Sequence, residues 1–559
     1  MKVRLTIFFK FFLSALTICA QDQPDIILKA MQDELKRNMS DLKLPNYNKP
    51  FFIMYGIQDQ KTYSVSATLG SIVQSTEKAA RFKTNTRVLV GDYEFNDESL
   101  EDNLSSPPTA LEIGLPVDDD YLGIRRSLWS STDKVYRDAA RHFQKHQQTL
   151  KETGKSLTEI PHRSFAKGNP LEMVSTLEPY VFDKAAWETK AKNLSALFLK
   201  HPGILYSTVV IQFTEGHRYL VNSEGVIAKI PFRETSFITI GQLKNDQGEF
   251  ALDQVSHNTR SPDQLPSEDE LKNQLEAMIS RIEKQLSIPE LDEEYNGPVL
   301  LSGQVVAHIF STMLFNGNES VVASNFIQKL TGYQYNNSAA LMDNKIGKSV
   351  LNESITIKAK PKLKTYKGTD LLAAFELDDE GITPPEEIVV VERGMLKNLL
   401  NDRTITHASQ KANGFSSGPG VIEITTTHKN SEKELKEKLI NKAKADGLDY
   451  ALMMKFSPAL MGIMNVYKIY VSDGREELVR NAFFEEVNLK MFRRVMGASD
   501  SYKAYNLGLS NFLNPNDNSQ KSAYIVPEAI LLESMEVKPF EMPSLKEDDY
   551  VSNPLLEIK

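Results

Sequence analysis

The sequence predicts an α+β fold in two domains, an α+β N-terminal domain followed by a β-rich, mostly antiparallel C-terminal domain. Three observations carry that prediction. Amphipathic helical stretches and strand-like runs interleave up to about residue 288. An acidic segment holding Pro289 and Pro298 then breaks the pattern. Beyond it short β-type runs dominate, interrupted by one clear helix. The expected boundaries are 1–20 for a signal peptide, 21–288 for the first domain and 289–559 for the second. A chain of 559 residues is also too long for a single compact core.

In chain order, Ile27, Met31, Leu35, Met39 and Leu42 recur at helical spacing and predict an amphipathic helix over residues 25–42. Residues 51–55, 63–69 and 87–91 are β-rich and bounded by polar turns. Residues 71–80 read as a short helix or a loop. Residues 92–117 are acidic and contain proline, which predicts a loop. A long helix is expected over 131–155, an irregular stretch over 158–169, a helix over 183–200 and a buried strand over 205–213. The stretch 267–286 carries the strongest local signal. Ser267 and Glu270 make a capping box, and Leu271, Leu275, Met278, Ile282 and Leu286 form one apolar stripe.

In the second half, strands are expected over 354–359, 387–392, 421–427, 450–456, 466–471 and 523–532. Ser431 and Glu434 cap the one intervening helix, which presents Leu435, Leu439 and Ile440 on one face.

Composition narrows the functional classes. The apolar share of 41% and charged share of 25% are ordinary for a globular protein. A net charge of −9 without a long basic block argues against a nucleic-acid partner. The short basic clusters at 358–364 and at Arg493-Arg494 lie among acidic neighbours and read as solvated faces. Lys2, Arg4 and Lys10 precede a short apolar core at 11–18, and Ala20 fits a cleavage position, so export to the bacterial periplasm or envelope is expected. No later stretch reaches the roughly 20 apolar residues of a membrane-spanning helix. Leu16-Thr17-Ile18-Cys19 approaches a lipoprotein cleavage site, but Ile18 is not small, which disfavours lipid anchoring at Cys19. Cys19 is the only cysteine, so cleavage after Ala20 leaves no thiol and excludes cysteine-dependent chemistry.

His142 and His146 lie four apart on the predicted 131–155 helix, a spacing that can bind zinc, but no third ligand is close in sequence, and a solvated face is the simpler reading. His308 stands alone on an apolar helix and reads as a packed or capped residue, while His257, His407 and His428 are scattered. No serine-hydrolase elbow or phosphate-binding loop is present.

Several segments together resemble the TldD/PmbA (TldD/TldE) metallopeptidase family. Leu128-Trp129 with Thr132-Asp133 and Tyr136 resembles the family's opening of a long helix, with Trp129 expected to anchor that helix in the core. Asn222-Ser223-Glu224-Gly225 resembles its Asn-Ser-Glu-Gly strand turn, and Asp378-Asp379-Glu380-Gly381 its Asp-Glu-Gly turn. Glu392-Arg393-Gly394-Met395-Leu396 and Leu400-Asn401-Asp402-Arg403 are similar to a pair of its strands. Read from the residues alone, 222–225 and Arg393-Gly394 are hairpin turns and 378–381 is a turn with solvated carboxylates.

The segment from Gly297-Pro298 to Phe315-Asn316 resembles the family's active-site helix. Catalytic members carry His-Glu-x-x-x-His there, completed by a cysteine. This chain has Ser311 and Thr312 for the His-Glu pair and Asn316 for the second His. A hydrolytic zinc takes about three imidazole, thiolate or carboxylate ligands and a nearby general base. Ser311, Thr312 and Asn316 supply none of these. The stretch after Asn413-Gly414 also lacks the arginine- and glycine-rich run of catalytic relatives.

The resemblance therefore implies the non-metal TldE/PmbA-type subunit, with no metal or other cofactor and activity leaning against an enzyme. It implies a zinc-bearing TldD-type homologue or self-association as partner, and a chamber for unfolded peptides. Two alternatives stay open: a divergent metallopeptidase with a relocated metal site, and a stand-alone envelope peptide-binding protein.

Overall fold

The computed structural model describes residues 25–100, 114–160, 162–178, 180–245, 249–315, 320–323, 342–406, 410–455, 463–483, 488–507, 522–540 and 554. The expected signal peptide, Cys19, Asn316 and His407 lie outside the described residues.

The N-terminal region is one twisted sheet covered by four helices. Helix α1 (Ile26–Asp41) starts where the Asp25 side chain accepts from Leu28 N. Strands β1 (Pro50–Thr68) and β2 (Ser71–Val90) make one long antiparallel hairpin, closed by Leu69 and Gly70 at φ 48° and 77°. Two consecutive positive-φ residues are what a two-residue hairpin turn of the strands' own twist needs. Residues 71–80, expected as a helix or loop, are therefore strand. Register with Val65–Thr68 decides their state, and their own polar composition does not.

Helix α2 (Tyr121–Thr153) starts ten residues before the expected 131, because Asp120 caps it by accepting from Leu122 N. Strand β3 (Leu171–Val174) and helix α3 (Lys184–Ser195) follow. Then come β4 (Ile204–Asn222), β5 (Val226–Lys244), β6 (Phe250–Thr259) and α4 (Glu268–Gln285), whose Ser267–Glu270 capping box forms as expected. The sheet order is β2-β1-β4-β5, and β3 and β6 both pair with β5.

Alternation along β1 divides the packing. Ile53, Tyr55 and Ile57 face α1 and α2, whereas Phe52 and Met54 face Phe165 and Leu377 toward the C-terminal region. Farther along, Val65 and Ala67 pack with Phe198, Leu271 and Met278 under α3 and α4.

The C-terminal region is β-rich, with strands β7 (Tyr295–Ser302), β8 (Ile355–Ala359), β9 (Ile388–Glu392), β10 (Met395–Leu396) and β11 (Gly420–Thr426). After them come β12 (Tyr450–Lys455), β13 (Ile463–Tyr470), β14 (Glu476–Phe483), β15 (Val495–Ala498), β16 (Tyr502–Leu507), β17 (Ser522–Pro527) and β18 (Ala529–Pro539). One sheet runs β10-β9-β8-β11-β17-β16 and the other β14-β13-β12-β7-β18-β15. A further β14–β18 pairing closes β7, β12, β13, β14 and β18 into a ring. Most pairings are antiparallel; β7–β12 and β11–β17 are parallel.

The single strand expected over 523–532 is two strands in different sheets, since the chain changes sheet at Glu528. Helix α5 (Gln304–Leu314) fills the space between the sheets. Val306, Ile309, Phe310 and Met313 join Ile357, Ile422, Leu301 and Leu452 in one core. Helix α6 (Glu432–Ala445) covers the opposite face of the second sheet through Leu435, Leu439 and Ala443. None of the described helices is long and apolar enough to cross a membrane.

Candidate functional site

Helix α5 is where the sequence places catalytic chemistry. It is apolar on almost every side, so its position is fixed by packing: Phe310 meets Phe492 at 4.5 Å between ring centroids, and Gly303 N donates to Glu528 O at its start. Ser311 is 6% exposed and lies beside the buried Tyr524 phenol. Burial pushes that phenol up to about 12, against the easing effect of the neighbouring Ser311 and Ser522 hydroxyls. Thr312 and His308, one helical turn apart, both point outward. His308 is thus not the packed residue expected from an apolar helix.

The donor set does not fit a zinc ion. Ser311 is a neutral hydroxyl committed to the core, Thr312 is a hydroxyl without basicity, and His308 offers one nitrogen ligand. Among the described residues, no three His, Cys, Asp or Glu side chains form a group that could hold a metal ion. His146 is buried on α2, with its Nδ1 3.1 Å from Asn96 O, so it is not on the solvated face expected of the His142/His146 pair. Trp129 is 46% exposed. The core anchors of α2 are Leu128, Thr132 and Tyr136, spaced four apart on the opposite side of the helix.

The other landmark segments converge at one place. The β4–β5 turn brings Glu224, the 378–381 turn brings Asp378 and Glu380, and the segment after Leu400–Asn401 brings Asp402 and Arg403. Strand β2 adds Arg87 and the loop after it adds Tyr93 and Glu98. Arg403 is fully buried. It donates from Nη2 to Glu224 Oε1 at 2.7 Å and from Nε and Nη2 to Ala166 O at 2.9 and 2.7 Å. Its guanidinium lies 4.1 Å from the Phe165 ring centroid and 4.8 Å from that of Phe52.

Arg87 pairs with Glu98 at 2.6 Å and with Glu380, and Glu380 Oε2 accepts from Arg403 N at 2.7 Å. Tyr93 Oη donates to Glu224 Oε1 at 2.8 Å. The 378–381 turn is therefore not solvated: Asp378 is 2% and Glu380 0% exposed, and only Asp379 reaches water. Residues 164–165, expected to be irregular, pair with 404–405 and carry Phe165 into this junction. A cleft of about 590 Å³ opens beside it, walled by Tyr93, Lys167, Gly168, Ser223 and Glu224.

The basic cluster at 358–364 is neutralised, since Lys358, Lys360, Lys362 and Lys364 each pair with a glutamate. The turns at 222–225 and Arg393-Gly394 are hairpin turns as expected, the latter with φ 47° and 76°. Sequence reasoning missed Arg87, Tyr93 and Glu98, which carry no motif. The nearest signal was the charged character of the three turns that meet them.

A model of the PmbA/TldA metallopeptidase C-terminal domain matches residues 294–538. This chain belongs to the TldD/PmbA family. Three solved structures share its fold. A Thermotoga maritima protein described as a candidate modulator of a DNA gyrase is 15% identical, with TM-score 0.51 over 87% of this chain and 96% of its own. TldE from Thermococcus kodakarensis is 12% identical, with TM-score 0.50 over 91% of this chain and 99% of its own. A Bacteroides thetaiotaomicron protein, likewise described as a candidate DNA gyrase modulator, is 10% identical, with TM-score 0.54 over 92% of this chain and 98% of its own. At these identities the likeness is one of fold. Among curated proteins no sequence matches the chain. The TldD/PmbA assignment makes this a peptidase-family protein and gives the three converging turns a common frame.

Proposed function

We propose that the chain is a non-catalytic, TldE-like subunit of an exported peptidase complex. It pairs with a zinc-bearing TldD-type homologue and helps enclose a chamber that admits unfolded peptides. One observation carries this reading. The positions that the family resemblance aligns with the His-Glu pair hold Ser311, packed beside Tyr524, and Thr312, facing outward. Neither can bind zinc or activate water. The fold shared with a structure named TldE is in keeping with the subunit type. The basic and apolar pattern of residues 1–20 supports export to the periplasm or envelope.

The test is co-expression of the mature chain with TldD-type homologues, followed by size measurement, metal analysis and peptidase assay. The expected result is a mixed complex whose zinc and activity reside in the partner. A stable monomer indifferent to every such homologue, or close to one zinc per isolated chain, overturns the reading.

A further inference from the structure

The junction between the N-terminal sheet and the C-terminal loops holds more buried acid than base. Glu98, Glu224, Asp378, Glu380 and Asp402 face only two guanidiniums, Arg87 and Arg403. Glu98 and Glu380 touch Arg87, Glu224 touches Arg403, and Asp402 lies within the field of Arg87 while accepting from Thr404 N at 2.8 Å. The hydrogen bonds to Asp378 come from the backbone: Oδ1 accepts from Glu380 N at 3.0 Å and Ile382 N at 2.7 Å, and Oδ2 from Ser416 N at 3.2 Å. The charge beside it is the like charge of Glu380. The Ser416 hydroxyl lies alongside, buried and without a hydrogen-bond partner. A carboxylate so placed takes up a proton rather than remain charged.

We propose that Asp378 is a proton-operated latch between the N-terminal sheet and the C-terminal loops. Protonated, it donates to Ser416 Oγ and holds the 378–382 turn against the 415–418 segment. Deprotonated, it leaves the five acids in excess of the two guanidiniums by three rather than two, and the junction loosens. Burial first, and Glu380 second, push its acid up to about 7.

The sign follows from linkage. The folded value lies above the ordinary 3.8, so the stabilising contribution is complete below about pH 4 and is lost as pH rises through about 7. The other groups that face the site include Arg87 on β2, Glu98 and Tyr93 in the loop after it, Glu224 on the β4–β5 turn, and Asp402 and Arg403. Arg87, whose burial is outweighed by Glu98 and Glu380, and Tyr93, pushed up to about 12 by burial and Glu224, keep their protons through that window. The inference is independent of the subunit role.

The experiment is urea unfolding of the full chain and of Asp378→Asn between about pH 5 and 8.5. The wild-type midpoint is expected to fall as pH passes about 7, and the fall is expected to be absent or much smaller in the variant. Equal falls in both proteins overturn the proposal. Should Asp378→Asn not fold, infrared spectra of the wild type and Ser416→Ala decide. A carbonyl band of a protonated buried acid, present near pH 5, lost by about pH 8.5 and shifted in Ser416→Ala, supports the latch. A spectrum without such a band, or with one that Ser416→Ala leaves in place, overturns it.

Discussion

Helix α5 and the Arg87–Arg403 junction both sit where packed elements meet, and both coincide with family landmarks, yet they hold different things. On α5 the aligned positions Ser311 and Thr312 are neutral hydroxyls around which the helix still packs fully. At the junction the aligned turns retain charged side chains bound to one another and to backbone. The difference has a physical cause. A metal ligand that is also a surface group can be exchanged for a hydroxyl without disturbing the core. One member of a buried ion network cannot be removed alone, because its partners are left charged and unpaired.

The first way to break that contrast is Arg403→Ala. It leaves Glu224 without its guanidinium in a fully buried site, and a loss of about 3–5 kcal/mol in unfolding free energy is expected from denaturant titration. A loss below about 1 kcal/mol would mean that water reaches the network and that it does not hold the two regions together. On α5, Phe310→Ala is expected to cost a similar ~3–5 kcal/mol, since the ring is buried against Phe492 and the site cannot collapse around the void. That pair of results would place the helix and the junction on an equal structural footing while separating their chemistry.

A smaller effect sharpens the comparison. Ser311→His with Thr312→Glu restores two of the aligned positions, and about 1–3 kcal/mol of destabilisation is expected from overpacking beside Tyr524. Metal analysis after zinc loading is expected to find no stoichiometric zinc in that double variant, because a third strong ligand is still missing. Stoichiometric zinc would show that the framework lacks only those two side chains. The smallest effect is Thr312→Ala, expected within about 0.5 kcal/mol of wild type in the same titration, as for an outward side chain with no packing role.

The sequence was most legible where signals are local. The capping boxes at Ser267–Glu270 and Ser431–Glu434 form as read, and the stripe Leu271, Leu275, Met278 and Ile282 is the buried face of α4. It was least legible where a distant partner decides. Residues 71–80 are polar enough for a loop but are held as strand by register with β1. Trp129 is the larger and more apolar residue, yet its neighbour Leu128 is the one turned inward.

By itself the sequence determined the α+β class, the family landmarks and the identity of the groups at the motif positions, because periodicity, capping and residue chemistry are local properties. Only the tertiary structure decided that Glu224, Glu380 and Arg403, from turns far apart in the chain, meet Arg87 in one buried network. The same charged turn is solvated or buried according to what folds over it. No local pattern records that cover, which for Asp378 and Glu380 comes from strands and loops hundreds of residues away.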